Sequence, residues 1–201
     1  MYFDVFLKTF SISSFFCFLY DITINKYRVK KESKKEILKN YKNSLGYVSY
    51  NLCVAKLYLD ECENYLIMKE RNKYNIFFNI FIWLITSDFL FYGFHYIFHT
   101  KYLYKFHQIH HQYIYTYGIT SIYAHPLDFV ATNLVPLSFA PLIFKFNDTL
   151  IKNIIIFSLI FTVVFSHGGY DFLPATHLKH HIYRKFNYGL NLSDRLLGTY
   201  Y

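Results

Sequence analysis

The chain lacks the residues that most hydrolytic and nucleotide-using enzymes need. No glutamate occurs after Glu70. That removes the H-E-x-x-H site of zinc proteases and the glutamate-rich E-x-x-H site of ferritin-like di-iron bundles. No G-x-S-x-G elbow, P-loop or dinucleotide fingerprint is present, so reducing equivalents for any redox chemistry must come from another protein. Cysteine is scarce: Cys17, Cys53 and Cys62 form no C-x-x-C pair. They read as packing residues in a reducing or membrane setting, which excludes a disulfide frame and a zinc-thiolate site. Aromatic-interleaved basic grooves and nucleic-acid motifs are missing as well, so no nucleic-acid partner is expected.

What is abundant is apolar surface. The 201 residues are 54% hydrophobic and 23% aromatic. Residues 9 to 20 are apolar after Lys8, with no small-residue cleavage site, and are read as a membrane anchor. Residues 74 to 94 carry one charge, Asp88; residues 129 to 146 carry only Lys145; residues 153 to 166 carry none. Each is near the roughly 20 residues that cross a bilayer. The last two are separated by a short polar turn at Asn147 and Asp148, which predicts a helical hairpin, with Pro136 and Pro141 kinking its first arm. A hairpin returns the chain to its starting side, so residues before Phe129 and after Ser166 must share one face of the membrane.

The net charge of +8 is concentrated in residues 26 to 42. A basic run beside apolar segments suits either an anionic membrane surface or a solvated linker, and by the positive-inside rule it is cytosolic. If residues 74 to 94 also end on the cytosolic side, a further crossing is needed, with residues 45 to 59 as the candidate. Otherwise the first apolar stretch does not cross. The sequence leaves both open.

All ten histidines lie between positions 95 and 181. His95 and His99 form H-x-x-x-H; His107, His110 and His111 form H-x-x-H-H; His177, His180 and His181 repeat it. His125 and His167 stand alone. Helical positions i, i+3 and i+4 share a face, so each box is expected to aim its imidazoles at a common point. Neutral imidazole is a ligand for iron, zinc, copper or nickel. Eight boxed rings exceed the about four to six positions around one ion, which favours two metals. Asp88, an ionisable group in an apolar stretch seven residues before His95, is the candidate catalytic carboxylate. Asp128, Asp171 and Asp194 are either further partners of the histidines or ordinary helix caps.

In order, these boxes, together with A-H-P at 124 to 126 and H-G-G-Y-D at 167 to 171, resemble the fatty acid hydroxylase superfamily. That family includes sterol C-5 desaturases, sterol C-4 methyl oxidases and sphingolipid fatty acid hydroxylases. The similarity covers roughly residues 80 to 200 and extends to S-D-R-L-L-G-T at 193 to 199, where Ser193 stands in place of the family's frequent Trp. Tyr96 likewise follows His95 where Arg is usual.

The resemblance implies an all-α, integral-membrane bundle of about four transmembrane helices with a cytosolic helical cap. It implies a membrane-anchor and basic segment at 1–73 and a catalytic domain at 74–201. It further implies O₂-dependent oxidation of a lipid C–H bond at two non-haem iron ions, zinc being able to occupy the same imidazoles. All ten histidines, His125 and His167 included, would be ligands. Cytochrome b5 would supply electrons at the endoplasmic reticulum membrane. The third box looks most like the sterol C-5 desaturases and H-G-G-Y-D more like the sterol C-4 methyl oxidases; a fatty acid or sphingolipid hydroxylase is the alternative. Outside the class stand a histidine-rich metal transporter or sensor, which should hold its ligands within the spans, and an inactive relative.

Overall fold

The computed structural model describes residues 1–24, 27–171 and 176–201. Among the described residues the chain is helical, with one isolated antiparallel bridge between Arg28 and Tyr170. Helix α1 spans Tyr2–Thr23, α2 Lys34–Ile67 and α3 Ile76–Phe98. The short α4, Tyr104–His107, and two 3₁₀ turns lead to α5, Pro126–Phe129. Helix α6 spans Val135–Ile143 and α7 Asp148–Ile160; α8, Thr176–Tyr183, and α9, Leu192–Leu197, complete the chain.

Among the described residues, four stretches are long and apolar enough to cross a membrane: Tyr2–Thr23, Ile76–Phe98, Pro126–Ile143 and Asp148–Ser166. Their outer faces show large apolar side chains such as Phe16, Phe77, Phe81 and Phe157, a surface costly in water and natural in lipid. This is an all-α integral-membrane bundle.

Helix α2 is too polar to count among the four, yet it settles how the bundle is threaded. Ser33 and Glu36 form a capping box at its start. Ile37, Tyr41, Ser44, Val48, Asn51, Ala55, Leu59, Cys62 and Leu66 recur every three or four residues as its buried stripe. Near its start Asn40 donates to the Tyr117 hydroxyl; midway Asn51 Nδ2 donates to the carbonyls of Ile122 and Ala124; near its end Glu63 accepts from the backbone of Tyr2. The helix therefore returns the chain the full length of the bundle. Helices α1 and α3 both run toward the histidines, and the basic run lies at that same end. The candidate stretch at 45 to 59 is part of this return.

The hairpin forms as expected. Asn147 caps α7 by accepting from Leu150 N–H. In the first arm a π turn at Val130–Leu134 ends two residues before Pro136, and Pro141 lies inside the helix that follows. Proline has no N–H to give the carbonyl four residues back and its ring crowds that carbonyl, so the wider turn relieves both faults. A second π turn, Phe161–Ser166, ends the other arm, and no proline announces it. One core joins residues from both sides of position 73, among them Phe6, Val48, Phe129 and Ile155. Cys17 and Cys62 are buried in the bundle and all three cysteines are free.

Candidate metal centre

His95 lies in the last turn of α3 and His99 is its C-cap. His107 ends α4, His110 and His111 sit in the following 3₁₀ turn, and His177, His180 and His181 are on α8. His167 directly follows the second π turn. Nine rings meet in two groups: His95, His99, His107, His111 and His180, and beside them His110, His167, His177 and His181. His111 and His181, one from each group, have ring centroids 4.6 Å apart.

The partition departs from the expectation that each box serves one point. Within each H-x-x-H-H box the i and i+4 rings stay together while the i+3 ring goes to the other group. His107 and His111 leave His110, and His177 and His181 leave His180. The geometry explains this. On α8, at 3.6 residues per turn, His181 sits about 40° from His177 on one side and His180 about 60° on the other. A box placed between two centres therefore feeds both.

The nitrogen atoms carry the strongest indication of what the groups hold. His95 Nδ1–H donates to the Tyr188 carbonyl at 2.7 Å, and His107 Nδ1–H to Asp128 Oδ2 at 2.8 Å. With their protons on Nδ1, both Nε2 atoms are bare lone pairs, and they face each other at 3.0 Å. His110 donates to the Tyr123 carbonyl and His181 to the Tyr113 carbonyl, and their Nε2 atoms lie 3.2 Å apart. His180 donates to the Phe186 carbonyl, so its Nε2 is a further bare lone pair in the five-histidine group. Lone pairs gathered so closely repel unless a cation lies among them, so these residues fit metal ions in both groups.

At six of these rings burial and, for most, neighbouring imidazoles disfavour protonation. Burial first, then the nearby imidazoles, lower His99 to about 2 and His110 to about 4. Burial likewise lowers His167 and His180 to about 3, and holds His177 and His181 well below the ordinary histidine range.

The second π turn has a clear local use. The Thr162 carbonyl accepts both the backbone N–H of His167 and its ring Nδ1–H, each at 3.0 Å. In the first π turn Thr132 Oγ1 donates to the Asp128 carbonyl and side chain, next to the carboxylate that orients His107.

His125, expected among the ligands, belongs to neither group. Its Nδ1 accepts from Leu127 N–H at 3.2 Å and caps α5, with Pro126 as the first helical residue. The A-H-P-L-D stretch is thus a helix start, and it is Asp128 that reaches a ring of the clusters, His107. Asp88 touches no histidine. Its two oxygens accept from Leu190 N–H, Ser193 N–H and the Ser193 hydroxyl. It holds the C-terminal segment whose Tyr188 carbonyl orients His95. Asp194 works on the same segment, accepting from Tyr188 N–H, Gly189 N–H and Thr199. Asp171 is exposed. The five carbonyl acceptors at Tyr113, Tyr123, Thr162, Phe186 and Tyr188 left no mark in the sequence, because a backbone oxygen is the same in every residue.

From the histidines a cavity of about 370 Å³ runs between α3, α6 and α7. His95 and His107 of one group and His110, His167 and His177 of the other line its head, and mainly apolar groups line the rest. Along α7 and its π turn, Phe157, Phe161 and Phe165 stack at 6.2 and 6.1 Å and form one wall. Phe157 and Phe165 are also exposed on the outside of the bundle.

Replacing Asp128 with Asn keeps the shape but turns a charged acceptor into a neutral one. Metal affinity is expected to fall about 10–100-fold, the usual loss when a carboxylate behind a ligating histidine is removed. Chelator competition measures it, and unchanged affinity would remove Asp128 from the centre.

A sequence profile of the Fatty acid hydroxylase family matches residues 80–199. "Fatty acid hydroxylase domain-containing protein 2" of Macaca fascicularis is 35% identical over 124 residues, 59% of this chain and 37% of that protein. "Methylsterol monooxygenase 2-1" of Arabidopsis thaliana is 50% identical over 50 residues, 24% of this chain and 18% of its own length. "Very-long-chain aldehyde decarbonylase GL1-11" of Oryza sativa subsp. indica is 33% identical over 98 residues, 46% of this chain and 35% of its own length. The stretch shared with the first of these is thus little more than a third of the relative's length. No solved structure matches. The matched residues include every histidine of both groups together with Asp88, Asp128 and Asp194, and the chain belongs to the fatty acid hydroxylase family.

Proposed function

We propose that this protein is a membrane oxidoreductase that uses two iron ions to oxidise an unactivated C–H bond of a lipid. The observation that carries the reading is the pairing of two histidine groups with an apolar cavity that starts at both of them. Ligands drawn from nitrogen alone suit iron, with zinc as a possible occupant of the same sites. Bound there, the two ions supply O₂ activation and hydrogen abstraction. The chain's own residues do the rest. The Nδ1 acceptors fix every tautomer they touch, Asp128 strengthens His107 as a ligand, and the aromatic wall keeps water from the reacting carbon.

A sterol or a related methylated ring lipid is the favoured substrate, since a methylsterol monooxygenase is among the relatives. Residues 74–201 carry the centre and the cavity, and residues 1–73 anchor and brace them. The basic residues between Arg28 and Lys42 lie at the histidine end of the bundle, which supports placing that end in the cytosol. An endoplasmic reticulum location and an electron donor such as cytochrome b5 follow from this reading, since the chain has no nucleotide or flavin motif of its own.

Lipid profiling of a sterol-pathway mutant expressing this chain tests the proposal. The expected result is disappearance of one accumulated methylated or saturated sterol and appearance of its oxidised product, dependent on O₂. An unchanged sterol profile with altered hydroxylated acyl lipids would move the substrate to the acyl class. No lipid change from a metal-loaded protein would end the enzymatic reading.

A further inference from the structure

The N-terminal segment supplies no histidine, yet one of its side chains binds the backbone beside His167 of the four-histidine group. Arg28, in the loop after α1, is buried against Asp21 near the end of that helix. Nη1 and Oδ1 are 2.8 Å apart, and the two side chains are 1% and 0% exposed. The pair is tied into its surroundings. Nη1 also donates to the Gly168 carbonyl at 3.1 Å, and Nη2 to the Thr116 carbonyl at 2.8 Å. Tyr41 donates its hydroxyl to the other oxygen of Asp21, and the guanidinium lies 4.3 Å from the centre of the Tyr117 ring. Val29 N–H donates to the Gly169 carbonyl beside it. The crossing is tight. Gly169 has φ +72°, and a Cβ there would lie 2.6 Å from the Thr116 oxygen and 3.2 Å from Arg28 Nη2.

The two carbonyls that Arg28 grips are far apart in sequence but serve the same metal group. Gly168 directly follows His167. Thr116 lies three residues after Tyr113, whose carbonyl accepts the His181 Nδ1–H. His167 and His181 are both in the four-histidine group. Thr116 also lies five residues after His111 of the five-histidine group, whereas Gly168 adjoins only His167 of the four-histidine group, so the bonds of Arg28 favour the latter. A buried ion pair is a poor source of net stability but a good fixer of one arrangement, and a bidentate guanidinium suits two acceptors at a set spacing.

We infer that Arg28, oriented by Asp21, is a positioning residue for the four-histidine group. It sets the distance between the His167 loop and the 113–117 segment, and through it the affinity of one metal site over the other. The inference rests on the two-metal reading and assigns a role to a residue outside the 80–199 family match.

The test is cobalt(II) titration of the full chain in nanodiscs, read by metal content and visible absorption. His177→Ala and His95→Ala identify the signals of the four- and five-histidine sites. Arg28→Gln is expected to weaken the four-histidine site by about tenfold or more, within the range for groups behind metal ligands, and to leave the other unchanged. Arg28→Lys should recover part of the loss, and Asp21→Asn should produce a smaller loss at the same site. Equal weakening of both sites, or of neither, overturns the inference. If Arg28→Gln cannot be purified, the same unequal split is required of Arg28→Lys and Asp21→Asn. A wild-type chain that takes up fewer than two cobalt ions would fail the two-metal reading instead.

Discussion

Alanine in place of His180 or His110 is expected to abolish turnover, and the two losses are expected not to add. These are the i+3 rings that leave their own box for the opposite group. Each is buried, each has Nδ1 tied to a carbonyl, and each Nε2 lies within 3.4 Å of two other ligand nitrogens. No neighbouring side chain can take its place. Each single variant should lower product formation on the order of 10³-fold or more, and the double variant should be little worse, as for groups that act as one unit. Metal content should drop from about two ions per chain to about one in each single variant, on the two-metal reading. His125→Ala is the control: it should keep both ions and cost at most ~1 kcal/mol, the worth of a helix cap. The measurements are metal per chain and lipid product in complemented cells. Full turnover in His180→Ala, or loss of metal in His125→Ala, would refute the assignment.

Asp88→Ala should be the most damaging change at a residue that touches no metal ligand. Three donors converge on its carboxylate: Leu190 N–H, Ser193 N–H and the Ser193 hydroxyl. Each buried donor left unpaired costs about 1–3 kcal/mol, so docking of the C-terminal segment should weaken by ~3 kcal/mol or more. That segment carries the Phe186 and Tyr188 carbonyls, which orient His180 and His95. Metal affinity at the five-histidine group should therefore fall about 10–100-fold, and protease should cut after residue 185 far faster than in the parent. Asp88→Asn keeps one acceptor oxygen and should lie between. Parent-like protease resistance in Asp88→Ala would show that Asp194 alone secures the segment.

The gathering of the histidines was legible in their spacing because imidazoles at helical intervals share a face. Ser193 was legible as a departure from the family pattern, and its hydroxyl is now seen to serve Asp88. The hairpin and the spans followed from hydropathy alone. Other features were hidden for identifiable reasons. Helix α2 carries its apolar residues as a single stripe among charges, so it reads as a linker until its partner helices are known. The splitting of the boxes depends on two centres lying side by side, which is a tertiary fact. His125 was drawn into the ligand set by sequence order, although a histidine just before Pro126 is well placed to cap a helix. Arg28 resembles any other charge of the basic run, and Asp21 any acid near a helix end, until the fold pairs them beside the His167 segment.

The stacked phenyl rings of Phe157, Phe161 and Phe165 have the cavity on one side and the exterior of the bundle on the other. On the lipid-oxidising reading proposed above, a substrate passing that wall would come sideways out of the oil phase without meeting bulk water. Its relevant concentration is then its mole fraction among the surrounding lipids. Rates should follow how densely it is packed in the host vesicle, so diluting vesicles at fixed composition should leave turnover per enzyme unchanged, whereas adding inert phospholipid should lower it.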